Sequence, residues 1–173
     1  MACALTSGYT LGCREEVGGL EAVWIIPHGD VSSVAEVSGL VTGITKATAK
    51  QFYKFEIPRA VANATHTLTG SEENGTIFYT HSVVLPLNKR DSTTANIIRV
   101  LAKNKLMIVS KDMSGRYHLY GKRFGLYLNS NEAGSGTAPG DRNGYLLTFT
   151  GAETDDAVEV NSTAAGTLET PGS

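Results

Sequence analysis

The four histidines are the first side chains in this sequence that could bind a metal ion or carry a proton. They are His28, His66, His81 and His118, and they lie far apart along the chain. His66 and His81 can face each other across a β-hairpin, but a zinc site needs three or four ligands. No Cys-x-x-Cys or His-x-His spacing accompanies them. We therefore expect surface or structural histidines and no metal site.

Residues for nucleophilic or acid/base catalysis do not occur in a recognisable arrangement. No Gly-x-Ser-x-Gly elbow presents a serine to a base. Carboxylates occur as neighbours at Glu15-Glu16, Glu72-Glu73 and Asp155-Asp156. Adjacent side chains in an extended chain point in opposite directions, so these pairs are typical of solvated turns. We expect no catalytic residue and no cofactor, hence a protein that is not an enzyme.

A glycine-rich stretch at residues 134–140 is superficially similar to a phosphate-binding loop. A true phosphate loop opens a helix whose N-terminus meets the phosphate, and it carries a Lys followed by Ser or Thr. Here Pro139, Asp141 and Asn143 lead into a strand instead. We interpret residues 129–144 as a loop that is flexible or faces an assembly partner.

The chain has two cysteines, Cys3 and Cys13. A disulfide between them would close a short loop and so remove little chain entropy. A zinc site would need two further ligands. We expect free, partly buried thiols first, a disulfide second and a metal site last.

Charge and hydropathy exclude several classes of partner. The net charge is -2 and the hydrophobic fraction is 41%. Binding to nucleic acid requires clustered cations, and the densest group here is only Lys103 and Lys105 with Lys111 further on. No apolar run approaches the roughly 20 residues of a membrane-spanning helix. Residues 1–8 lack the pattern of a secretory signal peptide, so we expect folding in a cytoplasm and no membrane partner.

Alternating and β-branched segments predict a mainly β domain. The predicted strands are 20–27, 51–57, 65–70, 76–87, 105–110, 116–121, 124–128, 145–151 and 157–160, with an irregular strand-like segment at 34–44. In the segment 51–57, Tyr53, Phe55 and Ile57 share one face. Asn74-Gly75 favours a tight turn, because both residues tolerate positive φ. Residues 65–87 therefore form a long antiparallel hairpin.

One helix is predicted between the two main hairpins. Asp91 caps its start, and Asn104 is a left-handed cap at its end. Between them, Ile97, Ile98, Leu101 and Ala102 recur at helical spacing on one side.

We predict one β-rich domain over residues 1–160, with an N-terminal arm at 1–19 and a flexible tail at 161–173. The hairpin is longer than a domain of this size needs, and unpaired strand edges favour pairing with another chain. Copies joined head-to-tail through such edges close into rings. Leu68, Ile77, Tyr79 and Val83 are the candidate inter-subunit contacts.

The order of these elements resembles a known family. The long hairpin, the helix 91–104, the hairpin 106–120, the glycine loop and the strand Asn-Gly-Tyr-Leu-Leu-Thr-Phe-Thr-Gly-Ala-Glu at 143–153 are similar to the tail tube proteins of long-tailed bacteriophages. The segments 105–121 and 143–153 are similar to virion proteins of phages of the Bacteroidetes group. The resemblance covers residues 51–160, carries no diagnostic motif and transfers no functional residue.

The family resemblance implies a β-sandwich or barrel flanked by one helix, closing into hexameric rings that stack into a hollow tube. The expected location is the virion tail, after synthesis in the host cytoplasm. The expected partners are copies of the chain, other virion proteins, and viral DNA only by passage through the lumen. The alternatives are a neck, connector or tail-terminator ring protein, or a capsid decoration or host-binding module.

Overall fold

The computed structural model describes residues 7–14, 16–58 and 61–172. These residues form eleven strands, two α-helices and one short 3-10 turn, His28–Asp30. The strands are β1 (Leu20–Pro27), β2 (Val31–Val37), β3 (Leu40–Lys46), β4 (Tyr53–Glu56), β5 (Asn63–Ser71), β6 (Thr76–Leu87), β7 (Leu106–Asp112), β8 (Tyr117–Tyr120), β9 (Tyr127–Gly134), β10 (Gly144–Glu153) and β11 (Val158–Val160). The helices are α1 (Ser92–Lys103) and α2 (Ser162–Ala165).

The strands form two sheets that share a core. The larger sheet has the order β2-β3-β11-β8-β7-β1-β4, and the smaller has the order β5-β6-β10-β9. Neighbouring strands are antiparallel except β11 and β3. Ile25 and Ile108 of the larger sheet lie in one apolar cluster with Val83 and Phe149 of the smaller sheet. The prediction of a mainly β sandwich flanked by one helix is confirmed.

Strands β1 and β7 are central in the larger sheet and buried on both faces. In β1, Val23 and Ile25 face the core between the sheets, whereas Trp24 and Ile26 face a second core. The side chains of β7 alternate in the same way: Ile108 faces the core between the sheets, and the residues on either side of it face the second core. Continuous apolar runs such as these indicate a strand covered on both sides. The larger sheet therefore separates two hydrophobic cores.

The segment after Asn161 covers the second core. Ala164, Ala165 and Leu168 belong to that cluster, and Leu168 is only 1% exposed. The backbone N–H of Phe52 donates to the Leu168 carbonyl oxygen at 3.0 Å. The predicted flexible tail is therefore wrong for residues 161–172. Its Ser, Thr, Gly and Ala content suggested exposure, but small side chains also permit close packing on a sheet.

Two polar side chains hold this C-terminal segment in place. The Lys46 ammonium donates to the Thr167 carbonyl oxygen at 2.5 Å, and burial lowers the pKa of this lysine. The indole N–H of Trp24 donates to a Glu169 carboxylate oxygen at 2.8 Å. Each donor reaches more than a hundred residues along the chain, so the contacts tie the end of the chain to the sheet.

The hairpin prediction is confirmed. β5 and β6 pair from Asn63 with Val84 to Ser71 with Thr76, and Gly75 adopts the positive φ that the turn requires. On its other side β6 pairs with β10 from Tyr79 onward. Residues 76–78 and their β5 partners therefore extend beyond the rest of the smaller sheet.

Helix α1 begins at its predicted cap, where the Asp91 carboxylate accepts the Thr94 backbone N–H at 2.7 Å. Hydrogen bonds from Thr94 and Lys89 hold the pKa of Asp91 well below its usual range. Ile98 and Leu101 are buried in the first core, whereas Ile97 and Ala102 are exposed.

The end of α1 differs from the prediction, because Asn104 has φ -109° and is extended. Its side-chain amide donates to the Val100 carbonyl oxygen at 2.8 Å, which satisfies a helix-end acceptor without a left-handed residue.

Two further segments are more regular than predicted. Residues 34–44 belong to a hairpin of β2 and β3, which turns at Gly39 with φ 80°. β9 extends to Gly134, so the predicted loop 129–144 is reduced to residues 135–143. Pairing with β10 explains this extension, because a long-range partner makes a strand of residues that lack a strong β pattern.

The described part of the N-terminal arm, residues 7–14 and 16–18, has no helix or strand and is exposed. Two contacts join the arm to the domain. A guanidinium nitrogen of Arg116 lies 2.6 Å from a carboxylate oxygen of Glu16, and the Val17 backbone N–H donates to Ser114 Oγ at 2.9 Å. Cys13 is exposed and not partly buried as predicted. Cys3 lies outside the described residues, and so does any pairing that involves it.

Replacing Leu168 by Ala should destabilise the protein, because it leaves a cavity under the C-terminal segment. We expect a loss of about 2–5 kcal/mol in the free energy of unfolding. Urea denaturation followed by the fluorescence of Trp24, the single tryptophan, measures it. The control is Leu11→Ala, at a side chain that is 85% exposed, with an expected change below about 0.5 kcal/mol. Equal losses in the two variants would contradict the packing described.

Candidate functional site

The histidines do not converge on a site. His66 and His81 are direct cross-strand partners in the hairpin, as predicted. His66 Nε2 lies 3.3 Å from Asp156 Oδ1 at the surface. His28 Nε2 contacts the Lys122 carbonyl oxygen at 3.2 Å. Within the described ranges, no three His, Cys, Asp or Glu side chains are grouped so that they could hold a metal ion.

His81 is a buried structural residue at the base of the hairpin arm. Its Nδ1 accepts the Gly121 backbone N–H at 3.3 Å, and its Nε2 lies 3.1 Å from the Asp155 carbonyl oxygen. The ring also meets Tyr120 edge-on at 5.5 Å. These contacts suit a neutral imidazole that accepts at Nδ1 and donates at Nε2. Burial lowers the pKa of His81, although the nearby Glu153 charge opposes that shift.

Glu153 is a second buried polar residue beside His81. It is only 2% exposed, and its carboxylate accepts the backbone N–H groups of Arg123, Phe124 and Gly125 at 2.8–3.1 Å. Three such hydrogen bonds fix the loop between β8 and β9. Glu153 was not among the predicted functional residues, although the alternation of side chains along β10 places residue 153 on the same inward face as Phe149.

The glycine-rich loop at residues 135–143 closes on itself. The Asp141 carboxylate accepts the backbone N–H groups of Thr137 and Ala138, both at 2.8 Å, and these hydrogen bonds lower its pKa. The loop leads into β10, as predicted, and not into a helix. It therefore lacks the helix N-terminus that a phosphate loop requires.

The four predicted contact residues share one face of the hairpin but differ in exposure. Ile77 is 63% exposed and Leu68 51%, Tyr79 is half-buried, and Val83 is 0% exposed. The prediction of Val83 as an inter-subunit contact is wrong, because the larger sheet covers that end of β6. Ile77 lies where the hairpin extends beyond β10, whereas Leu68 lies level with Tyr79, at the last residue pair that β6 forms with β10.

Phe78 on the opposite face of β6 was not singled out from the sequence, although it is 40% exposed. Phe78, Leu68 and Ile77 form an exposed apolar group next to the acidic turn at Glu72 and Glu73. We call these five residues the hairpin tip.

A groove of about 1080 Å³ lies between the edge strand β4 and helix α1. Its walls are mainly apolar and are formed by Tyr53, Phe55, Ile57, Ile97, Val100 and Leu101. Pro86 and Leu87, at the end of β6, also line it. The sequence signals for this β4–α1 groove were the shared face of residues 53, 55 and 57 and the apolar side of the helix, but neither pattern indicated that the two surfaces border one groove.

The charged residues that line the groove are two lysines, Lys54 and Lys89, and one glutamate, Glu56, so the lining has a net positive charge. The segment 88–105 contains five Lys or Arg and one Asp, whereas the hairpin segment 63–87 contains two Glu and no Lys or Arg. The tip and the groove therefore carry opposite charge.

Comparison of the chain with protein-family models, curated proteins and solved structures yields no match. In the described part of the chain, no helix is long and apolar enough to cross a membrane.

Stability should depend on the protonation of His81. Its pKa is 6.5 in an unfolded chain and lower in the fold, so the unfolded state binds the proton more tightly. The contribution of this residue is therefore fully present above pH 6.5 and decreases as pH falls below that value. Urea denaturation between pH 8 and pH 5 measures the decrease.

A His81→Gln variant should be less stable at pH 8 and should show a flatter pH dependence than the wild type. His118→Gln, at a half-buried position on β8, is the matched control and should retain the wild-type pH dependence. The same slope in H81Q and the wild type would show that His81 is not the titrating group.

Proposed function

We propose that this protein is a virion structural subunit without catalytic activity, which assembles with copies of itself into stacked rings that form a phage tail tube. The observation that carries the proposal is the hairpin tip. Leu68, Ile77 and Phe78 are apolar and exposed; Ile77 and Phe78 lie beyond the end of β10, and Leu68 lies level with that end. Apolar groups in such a position indicate a surface that another molecule covers.

The sheet edges support the same proposal. Within the described residues, β4 and β2 border the larger sheet, and β5 and β9 border the smaller one. Edges of this kind can pair with a strand of a neighbouring subunit. The element order of long hairpin, helix and second hairpin also agrees with the family resemblance noted in the sequence.

The mechanism is mechanical. Subunits join edge to edge in a ring, which we propose to be hexameric, and rings stack so that DNA passes through the lumen. The net charge of -2 favours a lumen that does not retain the phosphate backbone. Other virion proteins would bind at the ends of the tube, and the protein would reside in the tail.

Purified protein should form rings or tubes with a central channel in negative-stain electron microscopy, and light scattering should give a mass of several subunits. Association should increase with concentration, because the contacts are intermolecular. Rings that never stack would instead favour a neck, connector or terminator protein. A stable monomer that binds capsids or glycans would favour a decoration or host-binding module and would overturn the proposal.

A further inference from the structure

The hairpin tip and the β4–α1 groove lie at opposite ends of one strand. β6 begins at Thr76 in the tip and ends at Leu87, which lines the groove. Twelve residues of extended chain place these ends roughly 36 Å apart. β6 is held along this length by β5 and β10, so a subunit cannot fold its own tip into its own groove.

The two surfaces are complementary in polarity. The tip exposes Leu68, Ile77 and Phe78, and the groove exposes Tyr53, Ile97 and Val100. Burying exposed apolar area on both sides supplies the favourable free energy of association.

The two surfaces are also complementary in charge. Glu72 and Glu73 at the turn of the hairpin are exposed, and Lys54 and Lys89 line the groove together with a single carboxylate, Glu56. Both lysines contact carboxylates of their own subunit, Lys54 with Glu56 at 3.7 Å and Lys89 with Asp91 at 3.0 Å. Both ion pairs are largely exposed and therefore weak, so incoming glutamates can compete for the lysines. The charge pattern orients the tip towards the groove and disfavours contacts between two tips.

The backbone adds a third form of complementarity. β4 pairs with β1 alone among the described strands, so its outer edge faces the groove side of the sheet with ladder groups still available. β5 borders the smaller sheet and pairs with β6 alone among the described strands. An incoming hairpin can therefore extend the larger sheet by pairing β5 with β4.

From these observations we propose that the hairpin tip of one subunit inserts into the β4–α1 groove of a second copy of this chain. This inference rests on the proposed self-assembly and identifies the two surfaces that make one of its contacts. The contact is head-to-tail, because the two surfaces differ, so each subunit uses one tip and one groove. Because every added subunit offers a further tip and a further groove, the contact can repeat until the subunits close into a ring or reach the end of a tube.

Two single substitutions test the contact without disturbing the fold. Ile77→Asp alters only the tip and Val100→Asp alters only the groove, at side chains that are 63% and 59% exposed. Thermal unfolding of each variant should therefore match the wild type. Each variant alone should lower the association constant by about tenfold or more. Assembly of each variant should end at the monomer if the contact lies within a ring, and at the single ring if the contact joins two rings.

Mixing the two variants gives the decisive result. I77D retains an intact groove and V100D retains an intact tip, so an equimolar mixture restores one contact per pair. Analytical ultracentrifugation should show paired units and nothing longer. The pair is a heterodimer if the contact joins subunits within a ring, and a double ring if it joins two rings.

The matched control is Met113→Asp, at an exposed side chain in the turn between the internal strands β7 and β8, at the opposite end of β7 from the groove residue Leu106. It should associate as the wild type does. Wild-type assembly that V100D leaves intact, or a mixture that forms no pairs, would overturn the tip-to-groove contact while the proposed function stands. A wild-type chain that stays monomeric up to millimolar concentration would overturn both.

Discussion

The whole structure depends on the burial of β1 and β7 on both faces. Side chains such as Ile25 and Ile108 must be covered on one side, and Trp24 and Ile26 on the other. The smaller sheet and helix α1 cover the first side. The strands β3 and β11 with the C-terminal segment cover the second. Because β1 and β7 are apolar on both faces, a short chain must form two hydrophobic cores. Almost every other element packs against one of these two cores.

The rigidity of the hairpin arm follows from this arrangement. Val83 and Leu85 hold the lower part of β6 in the first core, and His81 and Glu153 form a satisfied polar layer just above them. Both groups are buried and accept backbone N–H groups of the loop between β8 and β9, and His81 also contacts the Asp155 carbonyl oxygen. Displacement of the arm would therefore leave unpaired polar groups out of water. Beyond this layer the core ends and the apolar side chains of the tip become exposed. The arm is therefore a fixed extension of the domain, anchored at its base.

Because the arm is fixed, the tip and the groove of one subunit stay apart. If the hairpin could bend, its apolar tip could fold back and be buried against its own domain. Because pairing with β10 and the core prevents this, the exposed apolar surfaces at the two ends of β6 remain available to other molecules. A surface that cannot be covered from within must be covered by a partner or remain in water at a cost in free energy.

Local patterns in the sequence determined the β-rich class, the hairpin 65–87 with its Asn-Gly turn and the Asp91 cap, because each depends on residues close in the chain. Only the tertiary structure decided which apolar residues are covered. Val83 and Ile77 lie on one face of one strand, yet the sheet opposite hides the first and not the second. Leu168 follows a stretch of small polar residues, and it is buried because it packs into the second core with residues far away in the sequence, such as Phe52. Alternation along β10 indicates an inward Glu153, but not its hydrogen bonds to residues 123–125. The β4–α1 groove likewise combines segments far apart in the sequence, and such packing is not encoded in any single window.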